Sequence, residues 1–489
     1  MPDAFDELQG RLASVWPSMT LRTTDPVLRT TVVLHSMPSE VVPPQLAPVF
    51  PAYEERFLCL VLSLLRAPGS RVVYLTSQPI LPRIIDYWFS LVQGLDSLEA
   101  RSRLFFVSPV DGSPRSLTEK LLDRPRLLER IRRLVIDPHK AVLLPFVCRD
   151  AEAELSVRLG LPVYGAHPRL WHLGLKSESR RLFRDEGLDV PAGYEDITSR
   201  QELRDALGAL HEQRPQARTA VVKLNQGVSG LGNAAVALGG DPDAAIEGMA
   251  LENEESSVEE FLAELAVDGG VVEERLAADD VRSPSVQLRA SPFGEVEVLS
   301  THDQVLGGPH GLSFMGSRFP ADPEYGPQIA ALGRQVGERL VREGVLGRFA
   351  VDFVSVRDGA GWRHHPIEIN LRCGGTTHTF MALQILSDGT FHPETGEFLD
   401  PRGRRKFYEA SDHLEGEHFN RLTPDDLFDI LAERQIGWNE HSMTGVAFHM
   451  ASALAVAGRA GATAIGDSPA HAQALLLAAN HALEQESLR

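Results

Sequence analysis

The sequence predicts a mixed fold, with an α/β unit near the N-terminus, a larger α+β unit in the middle and a small α+β subdomain at the C-terminus. The first unit is indicated by short apolar runs, RVVYL (71–75), RLFFV (103–107) and AVLLPF (141–146), which alternate with helical stretches. Continuous apolar strands separated by helices are typical of a parallel sheet covered on both faces. The α+β unit is indicated by paired strands, of which TAVVKL (219–224) and AAVAL (234–238) form a predicted hairpin.

The predicted units follow one another along 489 residues, a length that exceeds one ordinary core. The N-terminal segment is partly proline-rich and gives weak signals, and a plain scaffold is the simplest interpretation of the α/β unit. The predicted boundaries are 1–65 for an N-terminal extension, 66–170 for the α/β unit, 171–400 for the α+β unit, with lobes at about 171–275 and 276–400, and 401–489 for the C-terminal subdomain.

The composition excludes several classes of protein. The formal net charge is −19, whereas nucleic-acid binding needs a basic surface, so no nucleic-acid partner is expected. No apolar run reaches the ~20 residues of a membrane-spanning helix, and the acidic start MPDAFDELQG lacks the apolar segment of a secretory signal. Three scattered cysteines are too few for a disulfide framework, so the sequence predicts a cytoplasmic protein. A homodimer is the assembly expected from the general frequency of two-fold oligomers.

Two lysines and a glycine-rich turn are the first candidate functional residues. The chain has only five lysines, so one at a special position is informative. Lys223 lies on the strand 219–224, and Lys176 begins a predicted helix, where a cation is disfavoured unless an anion such as phosphate compensates. The turn GVSGLG (227–232) lets backbone N–H groups approach phosphate oxygens. A surface hairpin explains the glycines equally well, and Lys223 could be an ordinary strand residue that reaches solvent.

Polar side chains on two predicted neighbouring strands form the strongest candidate site. Glu368 and Asn370 are two residues apart and point to one face of their strand, while Asp352 interrupts the apolar strand GRFAVDFVSV. Three hard oxygen donors on one sheet face suit Mg²⁺ that bridges phosphates. Arg372 continues this face and could stabilise a transferred phosphoryl group. The alternative is a buried ion pair, for example between Arg372 and Glu368, because a buried carboxylate needs a partner.

The segment VVEERL (271–276) ends an apolar strand with charged residues. Its backbone groups could contact an adenine edge, and Glu274 or Asp280 could bind ribose hydroxyls. A solvated charged turn explains the same residues. The sequence leaves both interpretations open.

Taken in order along the chain, these motifs resemble the ATP-grasp superfamily. The resemblance covers roughly residues 71–475, and its most specific part is the spacing of Asp352, Glu368, Asn370 and Arg372. Several stretches further resemble the pheganomycin-type peptide ligase and its actinobacterial relatives, which implies natural product biosynthesis. These stretches are YLTSQPILPRIIDYW (74–88), THDQVLGGPHGLSFMGSRFPA (301–321), INLRCGGTTHTF (369–380) and AFHMASALAVAGRAGATAIGDSP (447–469).

The resemblance implies a fold and a reaction. A Rossmann-like pre-ATP-grasp domain would precede two lobes that clamp ATP, and a small closing subdomain would follow. With ATP and Mg²⁺, a small-molecule carboxylate would be phosphorylated, and an amine or peptide acceptor would attack the acyl phosphate to form an amide, with release of ADP and phosphate. The implied roles are ATP binding by Lys176, Lys223, Gly227, Val228, Ser229, Gly230, Gly232, Glu273, Glu274, Leu276 and Asp280, magnesium binding by Asp352, Glu368 and Asn370, and catalysis by Arg372.

One departure from the family pattern shifts the expected catalytic residues. Many ATP-grasp ligases have a basic residue where this chain has Asp303 and Gln304. The resemblance therefore implies that His302 and Arg318 share phosphate stabilisation with Arg372.

Two other functions stay open. A carboxylase-like or purine-pathway-like ATP-grasp enzyme would share the EIN-x-R run, although the glycine-rich turn lacks the basic residue of many carboxylases. A non-catalytic ATP-binding module is the alternative from another class, and the presence of all three expected metal ligands argues against it. The segments 302–320 and 374–380, which include His378, are the expected walls on the acceptor side.

Overall fold

The computed structural model describes residues 2–19, 28–38, 49–92, 95, 97–227, 230–359 and 361–489. Strands of these residues form one parallel sheet of four strands and antiparallel sheets of five, nine and two strands. The predicted mixed α/β and α+β class is confirmed. None of the helices in these ranges has the length and apolar character needed to span a membrane.

The parallel sheet lies in the N-terminal part of the chain. Its strands are β1 (Arg29–Leu34), β2 (Ser70–Leu75), β3 (Leu104–Val107) and β4 (Ala141–Pro145), in the order β3-β2-β1-β4. The helices of this part are α1 (Pro2–Gln9), α2 (Leu12–Met19), α3 (Phe50–Tyr53), α4 (Leu58–Leu65), α5 (Pro82–Leu91), α6 (Ser97–Ser102), α7 (Leu117–Leu122), α8 (Pro125–Leu134) and α9 (Asp150–Leu159). Strand β1 belongs to the segment assigned to an N-terminal extension. No strand is predicted there, because Thr30 and Thr31 interrupt its apolar run.

The five-stranded sheet forms the first half of the α+β unit. Its strands are β5 (Gly193–Ile197), β6 (Thr219–Leu224), β7 (Asn233–Ala237), β8 (Ala250–Leu251) and β9 (Gly270–Glu274), in the order β5-β9-β6-β7-β8. Its helices are α10 (Lys176–Asp185), α11 (Arg200–Gln213), α12 (Pro242–Glu247) and α13 (Val258–Asp268). The predicted hairpin of β6 and β7 is confirmed, with Lys223 opposite Asn233 at its tip.

The nine-stranded sheet combines the second half of this unit with the C-terminal residues. Its strands are β10 (Val281–Arg282), β11 (Pro284–Ala290), β12 (Val296–Gly307), β13 (Ser313–Phe319), β14 (Gly347–Asp358), β15 (Gly361–Asn370), β18 (Phe407–Glu415), β19 (Gly445–His449) and β20 (Arg459–Gly466), while β16 (Thr390–His392) and β17 (Glu397–Leu399) pair separately. The helices are α14 (Gly326–Arg342), α15 (Gly375–Ser387), α16 (Pro424–Glu433), α17 (Ala453–Ala457) and α18 (Pro469–Ser487). Strand β18 pairs with β13, so the C-terminal strands extend the central sheet.

One hydrophobic core joins the N-terminal part of the chain to its C-terminal part. It contains buried residues of α4 and α5 together with residues of α15, α16 and α18. Tyr87 of α5 stacks on Phe428 of α16 with ring centroids 4.2 Å apart. A buried ion pair between Arg56 Nη1 and Asp412 Oδ2, 2.9 Å long, also joins the two parts. The two parts therefore pack as one body.

Glu55 is a buried carboxylate in this body, and burial raises its pKa to about 7. Its Oε2 accepts a hydrogen bond from Ser452 N at 3.3 Å. Because the pKa of the unfolded chain is lower, the free energy of unfolding falls as the pH rises from the ordinary value of 4.5 to about 7. We expect Glu55→Gln, which can still accept the hydrogen bond, to raise the melting temperature at pH 8 and to lose this advantage near pH 4.5.

Thermal melts across this pH range measure the difference. Glu129→Gln, at a carboxylate whose side chain is 61% exposed, is the control and should show no such trend. A Glu55→Gln difference that is the same at both pH values would contradict the assignment.

Candidate functional site

A cavity of about 740 Å³ lies where the three large sheets meet. Its size is within the range of small-molecule sites. Most of the residues expected at the site line it, namely Lys176, Lys223, Gly227, Gly230, Glu273, Glu274, Leu276, Arg318, Asp352, Glu368, Asn370 and Arg372. Gly232, Asp280 and His302 are not among its lining residues. Val228 and Ser229 lie outside the described residues.

The three expected metal ligands lie together on the antiparallel pair β14 and β15. Asp352 is directly opposite Glu368, and a register shift follows at Phe353. Asn370 Nδ2 donates a hydrogen bond to Asp352 Oδ2 at 3.0 Å. The alternation of side chains along a strand places Glu368 and Asn370 on one face, as the sequence predicts.

The electrostatics of these ligands fit a divalent cation. Burial, and after it the neighbouring Glu368, raise the pKa of Asp352 to about 6, against the opposing effects of hydrogen bonding and Arg372. Two carboxylates in a partly desolvated site repel each other, and a cation between them would relieve this repulsion. Asp352, Glu368 and Asn370 supply the hard oxygen donors that Mg²⁺ prefers.

Lys176 connects the face of the expected metal ligands to the glycine-rich turn. It is the first residue of α10, as expected, and its side chain is buried. Its Nζ lies 3.2 Å from Glu368 Oε1 and donates a hydrogen bond to Gly227 O at 3.2 Å. The ion pair that the sequence offered as an alternative for Glu368 therefore forms, but with Lys176 and not with Arg372.

Lys223 belongs to a buried charge cluster that the sequence did not reveal. Its Nζ contacts one carboxylate oxygen of Glu273, and Arg180 Nη1 contacts the other. Arg180 Nε also pairs with Glu195 Oε1 at 2.7 Å. Burial acts to raise the pKa of Glu273, but the two cations lower it below the ordinary value. The Glu273 carboxylate thus orients Lys223 toward the cavity and is itself already occupied.

Two acids expected near the adenosine have other partners. The Glu274 carboxylate accepts a hydrogen bond from Ala192 N at 3.0 Å and pairs with Arg214 Nε at 3.4 Å. Asp280 Oδ1 pairs with Arg282 Nε at 2.7 Å. The expectation that Asp280 lines the nucleotide pocket is corrected, because its side chain is held by arginines beside the cavity wall. Leu276 does line the cavity.

The glycine-rich turn rests on a loop of the opposite lobe. Gly230 has φ +88°, and a Cβ atom there would lie 2.1 Å from Leu312 O. The buried Glu252 holds this loop, since its Oε1 accepts hydrogen bonds from Ser313 Oγ at 2.7 Å and Leu312 N at 3.4 Å. Gly232 packs behind Gly227 in the stem of the turn, which explains why it does not line the cavity.

We expect Gly230→Ala to weaken nucleotide binding by about tenfold or more. An alanine would be strained at this φ, and its methyl group would force the turn away from Leu312, so the turn could not close over the cavity. Calorimetric titration with Mg-ADP measures the dissociation constant. The matched control is Gly240→Ala, because a Cβ at Gly240 meets nothing within 4 Å. Equal dissociation constants for both variants would contradict a role of this contact in binding.

Arg372 and Arg318 both reach the cavity. Arg372 Nη1 donates a hydrogen bond to Cys373 O at 3.1 Å, and burial lowers the pKa of its guanidinium, which nevertheless stays charged. Arg318 Nη2 lies 3.3 Å from Glu409 Oε1, and its side chain is about half exposed. Arg372 is the cation closest in sequence to the expected metal ligands, and Arg318 belongs to β13 of the same sheet.

His302 is a core residue, which corrects the expectation that it helps to stabilise phosphate. Its side chain is fully buried, its Nε2 lies 2.7 Å from Ser300 Oγ, and its Nδ1 lies 3.0 Å from Tyr408 OH. Burial lowers its pKa to about 3, so the ring is neutral. His378, expected on the acceptor side, is also buried, 3.3 Å from Asp412 Oδ1. Neither histidine is among the residues that line the cavity.

Comparison with known proteins finds two matching family models and a related ligase. A family model described as IQCH-like, ATP-grasp matches residues 169–238 and 249–392, and one described as PGM1 C-terminal domain matches residues 426–475. The L-propargylglycine–L-glutamate ligase of Streptantibioticus cattleyicolor is 32% identical over 428 residues, which are 85% of this chain and 86% of the relative.

Solved structures show the same fold at low identity. Biotin carboxylase of Campylobacter jejuni in complex with β,γ-ATP has a TM-score of 0.55 at 10% identity, covering 96% of each chain. The biotin carboxylase domain of the Hydrogenobacter thermophilus 2-oxoglutarate carboxylase, in complex with MgADP, has a TM-score of 0.52 at 12% identity, covering 91% of this chain and 87% of that one. The expected class, an ATP- and magnesium-dependent ligase that forms a C–N bond, is confirmed by the relationship to the ligase. This chain belongs to the ATP-grasp ligase family that includes L-propargylglycine–L-glutamate ligase.

Proposed function

We propose that this chain joins the carboxylate of an amino acid or amino-acid derivative to an amine or peptide acceptor through an acyl phosphate. The observation that carries the proposal is the convergence of Asp352, Glu368 and Asn370 with Arg372 in one cavity that also contains Lys176. The relative named as a ligase of L-propargylglycine and L-glutamate supports amino acids as the substrate class.

The proposed roles follow from the contacts of each side chain. Lys176 and Lys223 hold nucleotide phosphates, because both ammonium groups are fixed by carboxylates at the cavity. Asp352, Glu368 and Asn370 hold Mg²⁺, which would neutralise phosphate charge and orient the transferred phosphoryl group. The carboxylates of Asp352 and Glu368 would also fix the position of the Mg²⁺ charge relative to the cationic side chains.

The proposed catalytic role of Arg372 is electrostatic. Its guanidinium is partly buried and has no ion pair with a carboxylate among the described residues. Such a group stabilises negative charge that develops on a carboxylate and phosphoryl oxygen without reorganising during the reaction. Arg318, which also lines the cavity, is proposed to contact the acceptor or the departing phosphate.

Product analysis with a trapping amine tests this function. The purified protein is incubated with Mg-ATP, a pooled set of amino acids and peptides, and hydroxylamine. ADP together with a hydroxamate that depends on an added acid is the expected result, because hydroxylamine intercepts an acyl phosphate. AMP with a hydroxamate would replace the proposal with adenylation. Stabilisation of the protein by Mg-ATP without any turnover in the pool would favour a binding module.

The proposal also includes a cytoplasmic location and a homodimeric assembly. The free cysteines Cys59, Cys148 and Cys373 are all buried and suit a reducing compartment. Light scattering after size-exclusion chromatography tests the assembly, and a monomeric mass would reject the homodimer.

A further inference from the structure

One wall of the cavity is built by residues outside the two lobes that hold the nucleotide and metal ligands. Arg56 and Arg149 come from the N-terminal part of the chain, and Arg459 comes from the C-terminal part, yet all three line the same cavity. The chain as a whole carries a net charge of −19. A group of positively charged arginines in one cavity wall of this negatively charged chain therefore indicates an anionic ligand.

Arg149 is the most available of these cations. Its guanidinium carbon lies 4.4 Å from the centre of the Trp171 ring, and it forms no ion pair with any carboxylate in the described part of the chain. Glu152, one turn away, is already engaged by the backbone N–H of Arg149 at 2.9 Å and by the Thr118 hydroxyl. A guanidinium stacked on an indole keeps its N–H groups pointing outward in its plane, the geometry that binds a carboxylate through two hydrogen bonds.

Arg56 is fixed beside the same wall by a buried network. Its Nη1 lies 2.9 Å from Asp412 Oδ2, and Asp412 Oδ1 lies 2.7 Å from His449 Nε2. The other terminal nitrogen of Arg56 lies 4.0 Å from the Met37 sulfur, its one polar contact within the described ranges. Arg459 Nε donates a hydrogen bond to the Asp412 backbone oxygen at 2.6 Å. Arg459 Nε also lies 3.3 Å from Glu415 Oε1. The three arginines therefore face two carboxylates, those of Asp412 and Glu415, and Arg149 has no carboxylate partner among the described residues.

This wall continues directly from the reaction centre. The guanidinium carbon of Arg372 lies 5.9 Å from the centre of the Phe146 ring, and Cys373 N donates a hydrogen bond to Phe146 O at 2.9 Å. Phe146 precedes Arg149 by three residues on the segment that follows β4. A ligand whose reacting group lies at Arg372 would thus extend along Phe146 toward Arg149.

We propose that Arg149 and Arg56 bind a carboxylate group that is not phosphorylated in the reaction. The inference rests on the proposed function and narrows its substrates to acidic ones. The carboxylate belongs either to a dicarboxylic acid substrate or to an amino-acid acceptor whose own carboxylate stays free. Both sources present the same anion to the same arginines, and neither group takes part in bond formation.

The test replaces single carboxylates by carboxamides. The compounds are amino acids and short peptides, among them L-glutamate, L-glutamine and L-glutamate α-amide. Each is tested as the acid and as the acceptor, and ADP release measures its turnover. Thermal stabilisation of the protein in the presence of a non-hydrolysable ATP analogue measures its binding. With the wild-type chain, loss of the bound carboxylate should raise KM by about 30-fold or more. In Arg149→Gln the KM values of the acid and its amide should differ by less than about threefold. The difference in Arg149→Lys should lie between that of the wild type and that of Arg149→Gln.

The substrate on which amidation has its effect identifies the source of the carboxylate. An effect of amidation only on the activated acid assigns a dicarboxylic acid, and one only on the amine assigns the acceptor. Arg158→Gln changes an exposed arginine that pairs with Glu154 on α9 and should match the wild type. Amides that stabilise or react as well as acids, or an Arg149→Gln variant that keeps the full discrimination, would overturn the proposal. If the chain forms no amide or hydroxamate at all, the proposed function fails, and the stabilisation data alone decide whether the carboxylate site exists.

Discussion

Glu368→Ala and Asn370→Ala are each expected to reduce ATP turnover by on the order of 100-fold or more while the fold stays intact. Glu368 is opposite Asp352 on the neighbouring strand, and Asn370 donates a hydrogen bond to Asp352 Oδ2. Removing either side chain takes away an oxygen donor for Mg²⁺ and leaves the charge of the transferred phosphoryl group without its counter-ion. ADP release with saturating substrates measures the loss.

Asp358→Ala is the matched control for this prediction. Asp358 ends the same strand as Asp352, its side chain is 61% exposed, and it pairs with the exposed Arg363. Its removal should leave turnover within about twofold of the wild type, because an exposed ion pair contributes little. Near wild-type turnover in Glu368→Ala or Asn370→Ala would show that the magnesium site lies elsewhere. Thermal melts of all three variants separate lost chemistry from lost folding.

Local spacing in the sequence was sufficient to predict that the proposed metal ligands share one face. Glu368 and Asn370 share a face because strand side chains alternate, and Lys176 is conspicuous because lysine is rare in this chain. These signals depend only on neighbouring residues. Their positions on β15 and at the start of α10 agree with the sequence-based expectation.

His302 and Arg318 show where local spacing fails. On β12 and β13, Asp303 is directly opposite Arg318, and both line the cavity. His302 is one residue earlier and lies opposite Ser285, which is itself opposite Asp352, so it shares the sheet face of Asp352. It is buried there against the rings of Phe319 and Tyr408. The run STHDQ contains no apolar residue to indicate which face is buried. Aromatic side chains from other strands therefore make His302 a core residue, and spacing within one strand does not show them.

Residues brought together by long-range pairing could not be predicted from the sequence. Arg149 and Arg56 are two of 43 arginines, and nothing near them in the sequence marks them as cavity residues. Their position depends on β1 joining the parallel sheet and on β18 extending the central sheet. Such pairings are fixed by packing over the whole chain, for which a single sequence carries no local signal.

Glu273→Gln is expected to lower the free energy of unfolding by about 3 kcal/mol. The side chain of Glu273 is 3% exposed, and it is the shared partner of Lys223 and Arg180, whose own side chain is 1% exposed. Removing one charge from a buried cluster leaves its partners uncompensated, which costs about 3–5 kcal/mol, and the remaining Arg180–Glu195 pair limits the loss to the lower end.

Chemical denaturation of the nucleotide-free protein measures this change, and Glu274→Gln is its matched control. Glu274 is the next residue on β9, but its partner Arg214 has a side chain that is 51% exposed, so water already screens the pair. The control should lose less than about 1 kcal/mol. Equal losses in the two variants would mean that the buried cluster contributes nothing beyond an ordinary surface pair. A large loss for Glu273→Gln that Mg-ATP partly restores would further indicate that phosphate takes the place of the missing carboxylate beside Lys223, because a ligand that binds only the folded state raises its stability.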